Sequence, residues 1–276
     1  MTFEIQGLIV PAITPRILNG SSESPDRESS DSLVDLHSMA RLTEFLIDGG
    51  VDSIFILGTT GEFSALSIEE KQHVIEYAAA SIRNRVPMLV GISAETIDQM
   101  LALIGIAEEH STQALVLAPM FGGHDPSEQI RIVLEHTSLP IVLYNNPAIH
   151  TNTGLPFRVV EEFASDPRVI GIKDSSGDWQ YFLKLLTLQS TRFRVVHGKE
   201  TTILDSLEAG AAGIVAGLAN IVPSLCKQVF LHRNQKNMDS IMAVKSELKR
   251  LFPDSISGYK YRLVQYGVIN SAALWK

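Results

Sequence analysis

Eight short apolar segments recur along the chain, and each is followed by a stretch with the spacing of an amphipathic helix. They are apolar at nearly every position, which is typical of strands buried on both faces. In chain order the segments span residues 7–13, 53–57, 88–92, 114–118, 141–144, 169–173, 194–197 and 213–216. Because strands that alternate with single helices imply right-handed parallel crossovers, this pattern constrains the fold more than any other feature.

Local signals predict the helices between these strands. The segments 67–70 and 96–99 have the residue spacing of capping boxes. Asp125 puts a capping residue before Pro126, which suits the first position of a helix. Apolar residues at helical spacing over 33–47 are followed by a Gly-Gly stop signal. Each predicted helix therefore lies between two predicted strands.

Eight such units predict an α/β protein whose parallel strands close into a (β/α)8 TIM barrel. The 276 residues suit this fold, which commonly needs ~250 residues. We predict a barrel domain over residues 1–222 and a helical extension over 223–276. A doubly wound open sheet is the alternative, although no GxGxxG motif follows the first strand. The polar segment 19–32 is predicted to be an exposed loop inserted after that strand.

Composition excludes several classes of function. The formal net charge of −8 argues against nucleic-acid binding, which needs a basic face. No window has the ~18 apolar residues of a membrane span, and the first residues lack the pattern of a secretion signal. The single cysteine, Cys226, has no partner for a disulfide or a thiolate cluster. We expect a cytoplasmic protein with no nucleic-acid or membrane partner, and the histidine spacing predicts no metal site.

Polar residues follow five of the predicted strands, at the rim where active sites of parallel barrels form. They are the turn 58–62 after the second strand, Tyr144 to Asn146 after the fifth, 173–178 after the sixth, 198–200 after the seventh and 217–220 after the eighth.

Lys173 is unusual among them because it lies at the end of an apolar strand, where an ammonium is poorly solvated. A neutral amine is the form that attacks a carbonyl to make an imine. An isolated lysine here more often pairs with a neighbour such as Asp174. Tyr144, one strand earlier, suggests a proton carrier, although a strand-end tyrosine often only packs. The Gly58 to Gly61 turn has backbone N–H groups for a carboxylate or phosphate, or is simply a structural turn.

Taken together, these residues resemble the dihydrodipicolinate synthase/N-acetylneuraminate lyase family of class I aldolases. The resemblance covers roughly residues 7–225. The matching motifs are GLIVPAITP near the start, LGTTGEF at 57–63, LYNNP at 143–147, GIKDSSGD at 171–178 and GIVAGLANIVP at 213–223.

The resemblance implies a role for each matching residue. Lys173 forms an imine with a 2-oxo acid, pyruvate, so no separate cofactor is expected. Tyr144 acts as acid and base beside the imine, and Thr59 supplies a relay hydroxyl to it. Thr60, with backbone groups of the turn that begins at Gly58, holds the substrate carboxylate.

Further substrate contacts are implied at the last two strands. The backbone at Ile214 lines the floor of the site, and Gly217 follows it at the rim. Gly198 and Glu200 occupy positions where neuraminate-type lyases bind hydroxyl groups, which favours a polyhydroxylated substrate.

Two residues depart from the family pattern. Phe121 stands where a tyrosine is usually lent across a subunit interface to the proton relay, and it has no hydroxyl. Ile149 stands where members that make dihydrodipicolinate have an arginine for the second substrate's carboxylate. Both favour an aldolase of 2-keto-3-deoxy sugar acids or 4-hydroxy-2-oxo acids over the synthase.

Three functional hypotheses follow. The first is a lyase that cleaves or forms a C–C bond between pyruvate and an aldehyde in a hydroxylated 2-oxo acid. The second is 4-hydroxy-tetrahydrodipicolinate (dihydrodipicolinate) synthase, which condenses pyruvate with aspartate semialdehyde. The third is a barrel that binds a 2-oxo acid without turnover. The resemblance also implies a homodimer or homotetramer.

Overall fold

The computed structural model describes residues 3–17, 33–119, 125–149, 153–252 and 254–275. Eight parallel strands form one closed barrel in the order β1 to β8. The strands are β1 (Gly7–Pro11), β2 (Ser53–Ile56), β3 (Met88–Gly91), β4 (Ala114–Leu117), β5 (Ile141–Asn145), β6 (Val169–Asp174), β7 (Arg194–His197) and β8 (Gly213–Val215). The predicted (β/α)8 barrel is therefore confirmed, and the open sheet is excluded. The segment predicted as an inserted loop, 19–32, lies outside the described residues.

Helices follow the strands as the sequence pattern predicts. They are α1 (Leu36–Asp48), α2 (Ile68–Ile82), α3 (Ile97–Glu109), α4 (Pro126–His136), α5 (Phe157–Phe163), α6 (Trp179–Leu186), α7 (Ile203–Glu208), α8 (Pro223–His232), α9 (Gln235–Leu251) and α10 (Ser255–Gln265). Ser67 and Glu70 form the predicted capping box of α2, and Asp125 caps α4. The first helix begins three residues later than predicted because Asp35 caps it. The helix α8 completes the β/α repeat, and α9 and α10 lie beyond it.

Two apolar clusters lie on opposite faces of the strands. The inner cluster fills the barrel and includes Ile9, Phe55, Val142, Tyr144 and Val215. The outer cluster lies between the strands and the helices. Because side chains alternate across a strand, each strand contributes to both clusters. This alternation decides which rim residues face the barrel axis.

Candidate active site

Lys173 and Tyr144 meet inside the mouth of the barrel. They are paired in the register of β6 and β5, and their relative exposures are only 6% and 5%. The Lys173 Nζ lies 3.8 Å from the centroid of the Tyr144 ring and 4.9 Å from that of Phe55. Two aromatic faces therefore hold the amine in place and exclude water from it.

The Tyr144 hydroxyl is the centre of a hydrogen-bond network. The Nδ2 of Asn146 donates to it across 3.0 Å, and Thr59 and Ser175 also hydrogen-bond to it. Burial by itself raises the pKa of the phenol, but the Lys173 charge and these hydrogen bonds more than offset it. The pKa of Tyr144 therefore lies below its ordinary value, which suits a group that exchanges protons.

The chemistry of these neighbours limits where the phenol proton can point. The amide NH2 of Asn146 only donates hydrogen bonds. The orientation of the amide is itself set, because its Oδ1 accepts from the Ala148 N–H. The hydroxyls of Thr59 and Ser175 can both donate and accept, so each is a possible acceptor of the phenol proton.

The turn after β2 presents backbone N–H groups at the same rim. Residues Thr59–Gly61 form one 3-10 turn, in which the Gly61 N–H donates to the Gly58 carbonyl. The N–H groups of Thr59 and Thr60 precede this closing bond and have no acceptor within the turn. They are available to an anion, as expected for a carboxylate clamp.

Gly198 leaves room for the Lys173 side chain. A Cβ at this position would lie 2.2 Å from the Ser175 Oγ and 3.2 Å from the Lys173 Cε. The absence of a side chain thus allows the β6 and β7 rims to approach each other. In this structure Gly198 shapes the site by its small size.

Glu200 and Gly217 lie together against the last two helices, α9 and α10. One Glu200 carboxylate oxygen accepts from the Lys245 Nζ at 2.6 Å, and the other accepts from the Leu218 N–H at 2.8 Å. A Cβ on Gly217 would come within 3.3 Å of Glu200 and 3.1 Å of the Tyr259 ring. The carboxylate predicted to bind substrate hydroxyls therefore already holds α9 against the barrel.

The remaining predicted positions differ in their relation to the barrel interior. Ile149 packs on the inner cluster and so forms an apolar part of the mouth. The side chain of Ile214 belongs to the outer cluster, whereas its neighbour Val215 faces the interior. A role for Ile214 is limited to its backbone. Phe121 lies outside the described residues.

A second polar network lies behind the site, on the outer face of β5 and β6. The Nδ2 of Asn145 donates to the Asp174 Oδ1 at 2.7 Å, and the Oγ of Ser176 donates to Oδ2 at 3.0 Å. Burial raises the pKa of Asp174 to about 6, against the opposing effect of these hydrogen bonds. This network ties together the two rims that follow Tyr144 and Lys173.

Sequence reasoning did not single out Phe55, Asn146 or Ser175 as site residues. Phe55 could have been found from the two-residue alternation along β2, which turns it toward the barrel axis. Asn146 and Ser175 directly follow strand-end residues, and in the sequence they are indistinguishable from ordinary turn residues. Within the described part of the chain, no three His, Cys, Asp or Glu residues cluster as metal ligands do. No helix there is long and apolar enough to span a bilayer.

Comparisons with known proteins agree on one family. The model of the dihydrodipicolinate synthetase family matches residues 29–271. The 4-hydroxy-tetrahydrodipicolinate synthase of Shewanella piezotolerans is 29% identical over 252 residues, which cover 90% of this chain and 82% of that protein. The dihydrodipicolinate synthase structure of Bacteroides thetaiotaomicron has a TM-score of 0.87 at 27% identity and covers 99% of this chain and 93% of its own.

A third comparison involves a structure with a bound 2-oxo acid. The chloride-inhibited dihydrodipicolinate synthase of Acinetobacter baumannii, solved in complex with pyruvate, has a TM-score of 0.82 at 27% identity. The match covers 98% of this chain and 91% of that one. With the family model spanning most of the sequence, this protein belongs to the dihydrodipicolinate synthetase family of lyases.

Proposed function

We propose that Lys173 forms an imine with pyruvate and that the protein cleaves or forms a C–C bond in a hydroxylated 2-oxo acid. The contact of the Lys173 amine with the Tyr144 ring, beside the phenol network, is the observation that carries this proposal. Pyruvate is bound in the related Acinetobacter baumannii structure. The imine is the only activating group required, and it needs no added cofactor.

The chemical steps follow from the positions of these groups. The Lys173 amine adds to the keto carbon of the substrate, and loss of water gives a protonated imine. Tyr144 gives its proton to the departing water during imine formation, and the phenolate that remains takes the proton of the C4 hydroxyl. The electrons of the C3–C4 bond move into the imine, so an aldehyde leaves and an enamine remains. Tyr144 then returns its proton to C3, and hydrolysis releases pyruvate and restores the amine.

The carboxylate of the 2-oxo acid binds the turn after β2. The N–H groups of Thr59 and Thr60 and the Thr60 hydroxyl are its donors in this proposal. Fixing the carboxylate orients the keto carbon toward Lys173, which converts a bimolecular encounter into an oriented one. The same contacts are made to pyruvate and to the longer substrate.

One residue at the mouth of the barrel supports a proposal for the aldehyde. Ile149 presents an apolar surface there and cannot pair with a carboxylate. We infer that the aldehyde half of the substrate is an uncharged, hydroxylated fragment, as in 2-keto-3-deoxy sugar acids. Synthase activity with aspartate semialdehyde is the second candidate, and the names of the curated relatives favour it.

Trapping with borohydride tests imine formation. Incubation of the protein with pyruvate and borohydride should leave a reduced adduct on the peptide that contains Lys173, and the Lys173→Ala variant should show none there. A folded wild-type protein without this adduct would exclude the proposal.

A substrate panel separates the two candidates. We expect pyruvate release from 2-keto-3-deoxy acids and poor turnover of pyruvate with aspartate semialdehyde. The Ile149→Arg variant should improve the second reaction, because a guanidinium can pair with the semialdehyde carboxylate. Efficient synthesis by the wild type would favour the synthase instead. Imine trapping without any turnover in the panel would point to a barrel that only binds.

We also propose that the protein acts as a homodimer or homotetramer in the cytoplasm. The family resemblance supports the oligomer, and the free, buried thiol of the single cysteine, Cys226, supports a reducing compartment. Light scattering that gives a monomer at assay concentration would contradict the assembly.

A further inference from the structure

The turn that presents Thr59 and Thr60 is bounded by two residues in the left-handed region. Leu57 has φ 55° and Glu62 has φ 57°, and neither is a glycine. This backbone conformation is costly for residues with a Cβ, and it persists where surrounding contacts impose it. The geometry of the carboxylate clamp therefore depends on what holds its two ends.

Glu62 is held by residues more than 190 positions further along the chain. Its Oε1 accepts a hydrogen bond from the backbone N–H of Trp275 at 2.9 Å. Its other carboxylate oxygen forms an ion pair with the Nζ of Lys260. The Lys260 side chain is fully buried. A buried charge pair with further hydrogen bonds has a narrow range of allowed geometries, so it fixes the position of Glu62.

The same C-terminal residues also reach the turn by a second route. The indole Nε1 of Trp275 donates to the Thr14 carbonyl at 3.0 Å. The hydroxyl of Thr14 in turn donates to the Gly61 carbonyl at 2.8 Å. Lys260 also binds the segment that contains Trp275, because its Nζ donates to the Ala273 carbonyl at 2.9 Å. Two chains of contacts, both of which include Trp275, thus connect the segment after α10 to the turn.

We infer that Lys260 and Trp275 are positioning residues for the carboxylate-binding turn, acting through Glu62 and Thr14. This inference rests on the proposed function, since it assumes that the turn binds the carboxylate of a 2-oxo acid. Neither residue touches the substrate. The segment after α10 is thereby a part of the active-site architecture, and 2-oxo acid affinity depends on it.

The experiment measures, in the full chain, the pyruvate concentration at which borohydride trapping of Lys173 is half-saturated. Lys260→Met removes the ion pair, and Lys249→Met, an exposed lysine on α9, is the matched control. Trp275→Phe removes the indole donor to the Thr14 carbonyl and leaves the contacts of Lys260 in place. We expect the pyruvate concentration at half-saturation to rise about tenfold in both test variants. The trapping rate at saturating pyruvate should be nearly unchanged, because the variants lose pyruvate binding and not the chemical step. The control should match the wild type.

A second readout does not depend on pyruvate. Hydrogen–deuterium exchange of the peptide spanning 57–66 should be faster in both test variants than in the control, while peptides from β5 and β6 stay protected. Unchanged half-saturation in folded variants, with a wild type that is trapped normally, would overturn the inference and leave the proposed function intact. If the wild type forms no adduct, the proposed function is wrong. If hydrogen–deuterium exchange of the 57–66 peptide is then also the same in the test variants and the control, the positioning role is overturned as well.

Discussion

The Lys173 amine rests on the face of the Tyr144 ring, 3.8 Å from its centroid. One contact thus joins the proposed nucleophile to the proposed proton carrier, and it does so through the ring and not only through the hydroxyl. The ring can hold the amine without the phenol oxygen, whereas proton transfer requires that oxygen. The two roles of Tyr144 are therefore separable by experiment.

Tyr144→Phe is expected to preserve the lysine's position and to abolish most of the activity. The ring still packs on Phe55 and Lys173, but no phenol carries the proton. Turnover of the best substrate should fall by about 10²- to 10⁴-fold, the usual contribution of a general acid–base group. Borohydride trapping of pyruvate should remain detectable, only slower. Turnover within a factor of two or so of wild type would contradict the role of Tyr144 as proton carrier.

The Asn146 amide is expected to lower the pKa of Tyr144, because it donates to the phenol oxygen. Asn146→Leu removes this donor, so the pKa of Tyr144 should rise, because the phenolate loses a hydrogen bond that stabilises it. The limb of the pH–rate profile that reports Tyr144 should move to higher pH. Asn146→Asp is the isosteric comparison, and its negative charge should move the limb further in the same direction. Superimposable profiles for the wild type and both variants would contradict this role.

Gly198→Ala is expected to displace the side chains of Ser175 and Lys173. The added methyl would overlap the Ser175 hydroxyl and press on the Lys173 stem. Overpacking of this kind costs typically ~1–3 kcal/mol of stability, and displacement of Ser175 and Lys173 should lower kcat/KM by about tenfold or more. Gly105→Ala is the control: nothing lies within 4 Å of a Cβ there. As it lies in α3, it should stabilise by up to about 1 kcal/mol. Equal activity in the two variants would show that Gly198 is not a spacer.

Much of this architecture could be predicted from the sequence because it is local. Runs that are apolar at every position predict strands buried on both faces, and the ends of parallel strands share one rim. Lys173 and Tyr144 therefore had to lie at the same end of the barrel. Side-chain direction was less certain, since a shift of one residue exchanges the two faces of a strand. In β8, for example, the side chain of Ile214 belongs to the outer cluster and that of Val215 faces the interior, so the predicted contact at Ile214 can be made only by its backbone.

Long-range partners could not be predicted in this way. Glu200 has the appearance of a rim carboxylate, and no local pattern shows that Lys245 on α9 neutralises it. The same holds for Glu62, whose partners Lys260 and Trp275 lie in the last part of the chain. Such contacts depend on how α9 and α10 pack against the finished barrel. Only the folded structure contains that information.

The ionisation of Asp174 is expected to make the free energy of unfolding depend on pH, and a variant can isolate this effect. Its pKa is raised by burial from 3.8 to about 6, so the folded state favours the protonated carboxyl. The stability it contributes is complete below about pH 4 and is lost as the pH rises through about 6. Asp174→Asn cannot ionise, yet its Oδ1 can still accept from Asn145.

The difference in unfolding free energy between this variant and the wild type should therefore grow in the variant's favour from about pH 4 to pH 7. The rise of the Asp174 pKa from 3.8 to about 6 corresponds to about 3 kcal/mol of unfolding free energy as an upper figure. Chemical denaturation of both proteins at several pH values measures the difference directly. Because the other titrating groups are shared, their pH dependence cancels between the two proteins. A difference that stays constant across this range would show that Asp174 is ionised in the fold without cost, and that burial does not raise its pKa.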